Sequence, residues 1–526
     1  MTARLVSASA VVGPEGIRGD ALLLDGATIV AVGPRASLER PGIPHESFPG
    51  ATVVPGLIDA HLHPVSYAGY LHSAGFKSAR DVADVRDRVA AAAARLPPGT
   101  PVTGMRLDDE SLAERRLPDR TDLDRAAPDH PVLLHRYCGH VAVANTAALA
   151  IAGIDRTTPD PSGGSFDRTD EGDPTGVLRE TAIGSVAIPL ARHAPPALTP
   201  DNVLDALHAL AGAGITAVGA IAGLGDGPWA VFGNEADALA AVADRSPIRI
   251  GVFVIAATPA ALQAAAARLE AAGPRVEFLG VKIFADGSLG GHTAAMHAPF
   301  TDAPGAIGTL RLDPERDRLL AETALEMNGR VAVHAIGDRA NAAVIDLFAE
   351  LIRAGADPAR LRVEHASVLD PGDINRLADL GIAAVIQPAF LDSEAAWLEK
   401  RLGPRIRNTY PFRSLLDAGV ILAGSSDCPV EPPFPLAGMA AARDRAGVMP
   451  AESLDARHAL GLFTSGAAQV NGWPEPLQPG SPADFTVLDR DPLRATPAEL
   501  RDTAIIATWV DGQPVAAGAG MDPWKD

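Results

Sequence analysis

Over most of its length the chain alternates short apolar runs with amphipathic stretches. The runs at 214–219, 248–254, 278–284, 330–334, 361–365, 382–387 and 420–427 each have the length of a buried strand. Helical patterns such as 200–213, 234–243 and 259–272 lie between them. An eighth run, 53–64, enters after Pro55-Gly56 and stops at Pro64. Eight strands alternating with helices predict an α/β fold, a (β/α)8 TIM barrel, whose functional residues gather at the C-terminal ends of the strands.

The two ends of the chain follow a different pattern. Asp25-Gly26 separates runs at 21–24 and 28–32, and Asp511-Gly512 separates 504–510 from 514–515. Both dipeptides suit tight hairpins. With the run 483–488, they predict one small β-sandwich domain built from 1–52 and 475–526, beside a barrel of 53–474. From about 66 to 200 the barrel rhythm breaks. A helical piece at 82–96 is followed by a Pro/Asp-rich stretch, 118–131, and a Gly/Asp/Thr-rich one, 157–176. This region reads as a large insertion after the first barrel strand, covering the barrel mouth.

Composition narrows the function classes. The 526 residues are 47 % hydrophobic, enough for a large core, and carry a net charge of −20. That charge argues against a general nucleic-acid binder, which needs a basic face. The two cysteines, Cys138 and Cys428, are far apart, so a reducing, cytoplasmic setting is expected rather than a disulfide framework. No apolar run approaches the ~18 residues of a membrane span, and the first residues lack a convincing export signal. The expected partner is a small-molecule substrate, with no nucleic acid and no membrane; a homo-oligomer is left open.

The polar residues that end the apolar runs carry the chemistry. In a strand, residues two apart share a face, so His61 and His63 point the same way and can grip one metal ion. Read singly, each could be a core histidine bonded to a carbonyl. Lys282 interrupts the apolar run Val281-Lys282-Ile283-Phe284. Burial there would lower its pKa, and a neutral amine can take up carbon dioxide to give a carbamate able to bridge two metals. The alternative is a lysine paired with Asp286 or a neighbour. His334, His365 and Asp427 close three further strands.

These segments resemble the metal-dependent amidohydrolase superfamily, and within it the YtcJ-like branch to which N-substituted formamide deformylase belongs. The matching stretches are Pro55 to His63, Val281 to Ser288, Val333 to Asp338, Glu364-His365-Ala366, Gly424 to Asp427 and Gln478 to Asp484. The resemblance implies a hydrolase that cleaves a non-peptide C–N bond, in an amide, formamide or cyclic amide, with a metal-activated hydroxide. It implies that His61, His63 and Asp427 hold one metal and His334 and His365 a second. Carboxylated Lys282 would bridge the two, and Asp427 would move the proton. Two zinc ions are expected, although manganese, iron or cobalt also suit imidazole and carboxylate. His140, Asp286, His292, Asp338 and Gln387 are candidate substrate contacts, and Glu180 reads as a helix-surface residue. The alternative activity is a one-metal deaminase of an amino-heterocycle. That group places a glutamate soon after the fifth-strand histidine, where this chain has Ala335-Ile336-Gly337-Asp338. A non-enzymatic binding protein on a degraded barrel is the third reading, and the six filled ligand positions argue against it.

Overall fold

The computed structural model describes residues 3–72, 74–193, 198–225 and 232–517. Eight parallel strands form the barrel: β1 (Leu57–Leu62), β2 (Ile215–Gly223), β3 (Arg249–Ile255), β4 (Val276–Phe284), β5 (Arg330–Ala335), β6 (Leu361–His365), β7 (Ala383–Ile386) and β8 (Leu422–Gly424). They pair in chain order. Every residue of β2 is buried, as expected of a strand covered on both faces. The sheet ladder stops between β8 and β1. Two backbone bonds close that seam at its upper end: Asp427 N–H to His61 O at 2.9 Å and His63 N–H to Cys428 O at 2.8 Å.

The helices follow from local sequence. Thr199 caps helix Pro200–Gly212 in a reciprocal box with Asn202, and proline occupies the first turn, where no N–H is needed. Helix Asp338–Arg353 buries Val344, Ile345, Phe348 and Leu351 along one stripe. These stripes merge with the strands into the main apolar cluster.

Within 53–64 the barrel strand enters after the Pro55-Gly56 turn, as expected, but 53–55 lie outside the barrel. Residues 53–55 finish strand His45–Pro55, where Val53 pairs with Val487, and β1 begins after Gly56. Val53 to Pro55 therefore belong to the sheet of the chain ends. That sheet is one continuous ladder of seven strands rather than two separately bonded sheets. Its order is Gln513–Ala517, Ile505–Val510, Phe485–Leu488, His45–Pro55, Ala3–Gly13, Gly16–Asp25 and Thr28–Gly33. It is fastened to the barrel by Arg249, which pairs with Asp484 at 2.7 Å and also with Asp511.

Between β1 and β2 the chain builds a six-stranded sheet. Its order is Gly164–Arg168, Pro174–Glu180, Val141–Ala144, Val132–Arg136, Val102–Leu107 and Ala74–Gly75. It has an apolar cluster of its own around Phe76, Val85, Leu123 and Leu134. The turn 137–140, between two of its strands, reaches the upper end of the barrel and lines the cavity there.

Candidate active site

The centre of the site lies at the seam between β1 and β8. His61 is the penultimate residue of β1. His63 is one residue beyond the strand, in the cap position of helix Pro64–Leu71, so strand alternation alone does not aim it. Asp427 lies past β8 with φ 57°, a left-handed turn that swings its carboxylate toward the seam. The Nε2 atoms of His61 and His63 come to 3.3 and 3.2 Å from Asp427 Oδ1. The ligand atoms of the three residues lie within 4.8 Å of one another.

The donor chemistry of this group fits a cation. Glu364 Oε2 accepts from His61 Nδ1 at 2.6 Å, which leaves a lone pair on Nε2. Asp427 Oδ1 is buried and has no hydrogen bond of its own. A lone pair facing an orphaned acceptor in a buried site calls for positive charge between them.

His334 and His365 stand beside this group, at the ends of β5 and β6. Their ring centroids are 4.4 Å apart, and His365 lies 5.2 Å from His61. His365 Nδ1 faces Gln387 Oε1 at 2.8 Å, leaving Nε2 as its open nitrogen. Gly287 O accepts from His334 Nε2 at 2.9 Å, leaving Nδ1. Burial lowers the pKa of both rings well below the ordinary histidine value, as it lowers that of His63, so all three are neutral, the form that binds metals. Lys282, on β4, is 2 % exposed, with Nζ 3.4 Å from His61 Nε2. Burial brings its pKa down to about 8. It forms no ion pair with Asp286, whose oxygens accept from the backbone N–H groups of Ala295, Ile336 and Gly337.

The amidohydrolase family model matches residues 49–516. The chain belongs to the amidohydrolase family. It is 31 % identical over 522 residues to the putative amidohydrolase YtcJ of Bacillus subtilis, covering 95 % of this chain and 96 % of that protein. It is 29 % identical to the N-substituted formamide deformylase of Arthrobacter pascens, with 94 % of each chain covered. Among solved structures, an uncharacterized metal-dependent hydrolase from Pyrococcus horikoshii superposes with a TM-score of 0.73 at 25 % identity, covering 94 % of this chain and 99 % of that one. The chain is thus a YtcJ-like amidohydrolase, a metal-dependent hydrolase on a TIM barrel.

In this amidohydrolase a buried ion pair supports His61. Arg362 and Glu364 both point into the barrel from β6, 2 % and 0 % exposed. Arg362 Nε donates to Glu364 Oε1 at 2.5 Å, Nη1 to Asn471 and Nη2 to Ala60 O, and the guanidinium lies 4.0 Å over Phe253. Glu364 spans Arg362 and His61, and the Arg362 guanidinium with the hydrogen bond from His61 keeps its carboxyl ionised against burial. Asp59 accepts from Ser426 N with both oxygens and so fixes the turn that carries Asp427. The signal for Arg362 and Glu364 was in the sequence. Two charges flanking one valine in a strand share a face, and folding decides which face that is.

The other singled-out residues part ways. Glu180 is not a surface residue: it is 2 % exposed, and its Oε2 accepts from His140 Nδ1 at 2.8 Å and from Arg311 Nη1 at 3.1 Å. The sequence reading failed there because Glu180 ends a strand of the inserted sheet rather than lying on a helix. His140 lines the cavity, its ring 5.2 Å from that of His334. Gln387 braces His365 and donates to Ser425 Oγ. Asp286 ties the loop after β4 to the loop after β5 through backbone N–H groups. Asp338 accepts from His297 N and Arg339 N, and His292 pairs with Asp302 at 3.0 Å.

Proposed function

We propose that this amidohydrolase cleaves a non-peptide C–N bond, in an amide, formamide or cyclic amide, of a small molecule. The orphaned Asp427 Oδ1 facing the two imidazoles carries the reading. His61, His63 and Asp427 would hold one divalent metal, His334 and His365 a second, with carboxylated Lys282 between them. Zinc suits this donor set, and manganese, iron or cobalt also do. Bound there, divalent metals supply Lewis acidity and bring the pKa of water toward ~7. The Asp427 carboxylate would accept the proton of the attacking water and return it to the departing nitrogen. The cavity wall from the inserted sheet would orient the substrate and exclude bulk water.

The amide reading is supported by the deformylase's likeness over 94 % of each chain, and by the absence of a glutamate in Ala335 to Asp338. Metal analysis of the purified protein, with hydrolysis assays on N-formyl, N-acyl and cyclic amides, tests it. About two metals per chain and turnover of one of these classes are expected. Asp427→Asn should lower kcat by about 10²–10⁴-fold. One metal per chain with release of ammonia from amino-heterocycles would establish the deaminase instead.

A further inference from the structure

The cavity above the metal-ligand group has a polar feature that the chemistry of C–N cleavage leaves unused. Arg136 ends strand Val132–Arg136, and Tyr137 follows it. Both line the cavity together with His61, His63, Lys282 and Asp427. Arg136 is 3 % exposed. Its Nε donates to Asp109 Oδ1 at 2.5 Å, which leaves the other edge of the guanidinium. There, Nη1 and Nη2 are both buried without a hydrogen-bond partner, and so is Tyr137 Oη.

These donors converge on one place. A Cβ built on Gly290 would meet Arg136 Nη1 at 2.6 Å and Tyr137 Oη at 3.2 Å, so the two donors lie side by side against the bare face of Gly290. Burial raises the Tyr137 pKa well above its ordinary value, which keeps the phenol a donor. Asp109 pairs the charge, but buried Nη donors left without an acceptor are costly, and each such group calls for a partner. The fork geometry matches a carboxylate bidentately. Glu394 and Glu431 line the adjoining pocket beside Tyr137; their charge works against any anion, and against a dianion such as a phosphate ester more than against a carboxylate. Phe232, Phe284 and Ile183 supply apolar wall.

We infer that Arg136 and Tyr137 form a subsite for a carboxylate carried by the substrate, so that the substrate is an amide bearing both an acid and an apolar group. The inference rests on the C–N hydrolase reading for the position of the scissile bond. It adds the class of molecule that bond belongs to.

The test uses the full chain with its metal and two probes that differ only in the acid: N-formylphenylalanine, as each enantiomer, and N-formylphenethylamine. Calorimetric binding should show one enantiomer of the acid at least tenfold tighter than the neutral probe. In Arg136→Met that ratio should fall to near one, and Arg136→Lys should keep part of it, because an ammonium supplies charge without the fork. Tyr137→Phe should narrow the ratio severalfold, and it gives the same readout if Arg136→Met does not fold. A ratio near one in the unmodified protein, the same ratio in Arg136→Met, or no binding of either probe overturns the subsite. Preferential binding of the acid with neither probe hydrolysed sinks the C–N hydrolase reading and leaves the subsite standing. Hydrolysis of both probes with equal kcat/KM and equal binding does the reverse.

Discussion

At the scale of single residues, the site depends on which protonation and tautomer each side chain is held in. Lys282 is the sharpest case. Burial lowers its pKa to about 8, so the ammonium persists below that pH and neutral amine builds up above it. Only the neutral amine can form a carbamate. Metal uptake by the stripped protein should therefore depend on bicarbonate and rise with pH through about 8. Lys282→Ala should lose metal and activity, and short carboxylic acids should restore part of both. Full metal content in that variant would rule out a bridging role. Glu364 acts one step further away, fixing His61 with Nε2 as its open nitrogen. Partners of metal-bound histidines typically contribute about 10–100-fold in metal affinity. Glu364→Gln should weaken metal binding by that order in a chelator competition while the fold persists. Unchanged affinity would leave Glu364 as merely the counter-ion of Arg362.

At the scale of elements, the candidate ligands come from several barrel strands and the turns that follow them, and those turns set their aim. Asp286, from the loop after β4, gathers three backbone N–H groups and so locks that loop to the turn leading into helix Asp338–Arg353. Its burial raises its pKa to about 7, against which those three N–H groups work. Gly337 lies at the crossing point, where an added Cβ would meet Ala295 O at 2.0 Å. Gly337→Ala should cost about 1–3 kcal/mol in a denaturant titration, the usual range for overpacking. It should also lower metal affinity, since His334 sits three residues away on β5. A neutral effect on both would show that the loop gives way easily.

At the scale of the whole molecule, the barrel rests on a sheet that needs both ends of the chain. Strand Phe485–Leu488 pairs on one side with His45–Pro55 and on the other with Ile505–Val510. Thr486 and Thr508 send buried hydroxyl bonds to Gly214 O and Ala211 O of the barrel layer, each at 2.7 Å. Ending the chain at residue 503 would remove strands Ile505–Val510 and Gln513–Ala517 and expose a bare, apolar edge. The shortened protein is expected to aggregate on expression and to melt at a lower temperature. A soluble variant with an unchanged melting point would show that the end sheet is an accessory to the barrel.

The sequence by itself determined the periodic part of this protein. Strand and helix repeats announce themselves through burial, so all eight barrel strands were legible, as was the gathering of His61, His63, Lys282, His334, His365 and Asp427 around one cavity. Residues 53–55 were counted with the barrel because an apolar strand looks the same whether it joins a barrel or a neighbouring sheet. Only partners distant in the chain, such as Val487 opposite Val53, separate the two. The inserted sheet was legible only as a break in rhythm. For that reason Glu180 was taken for a surface residue and the open fork of Arg136 gave no sign. Whether a charged side chain is buried, and what it faces, depends on residues from elsewhere in the chain that folding brings to it. Tertiary structure therefore decided the seam at His61 and Asp427, the Arg362–Glu364 support and the lining of the cavity.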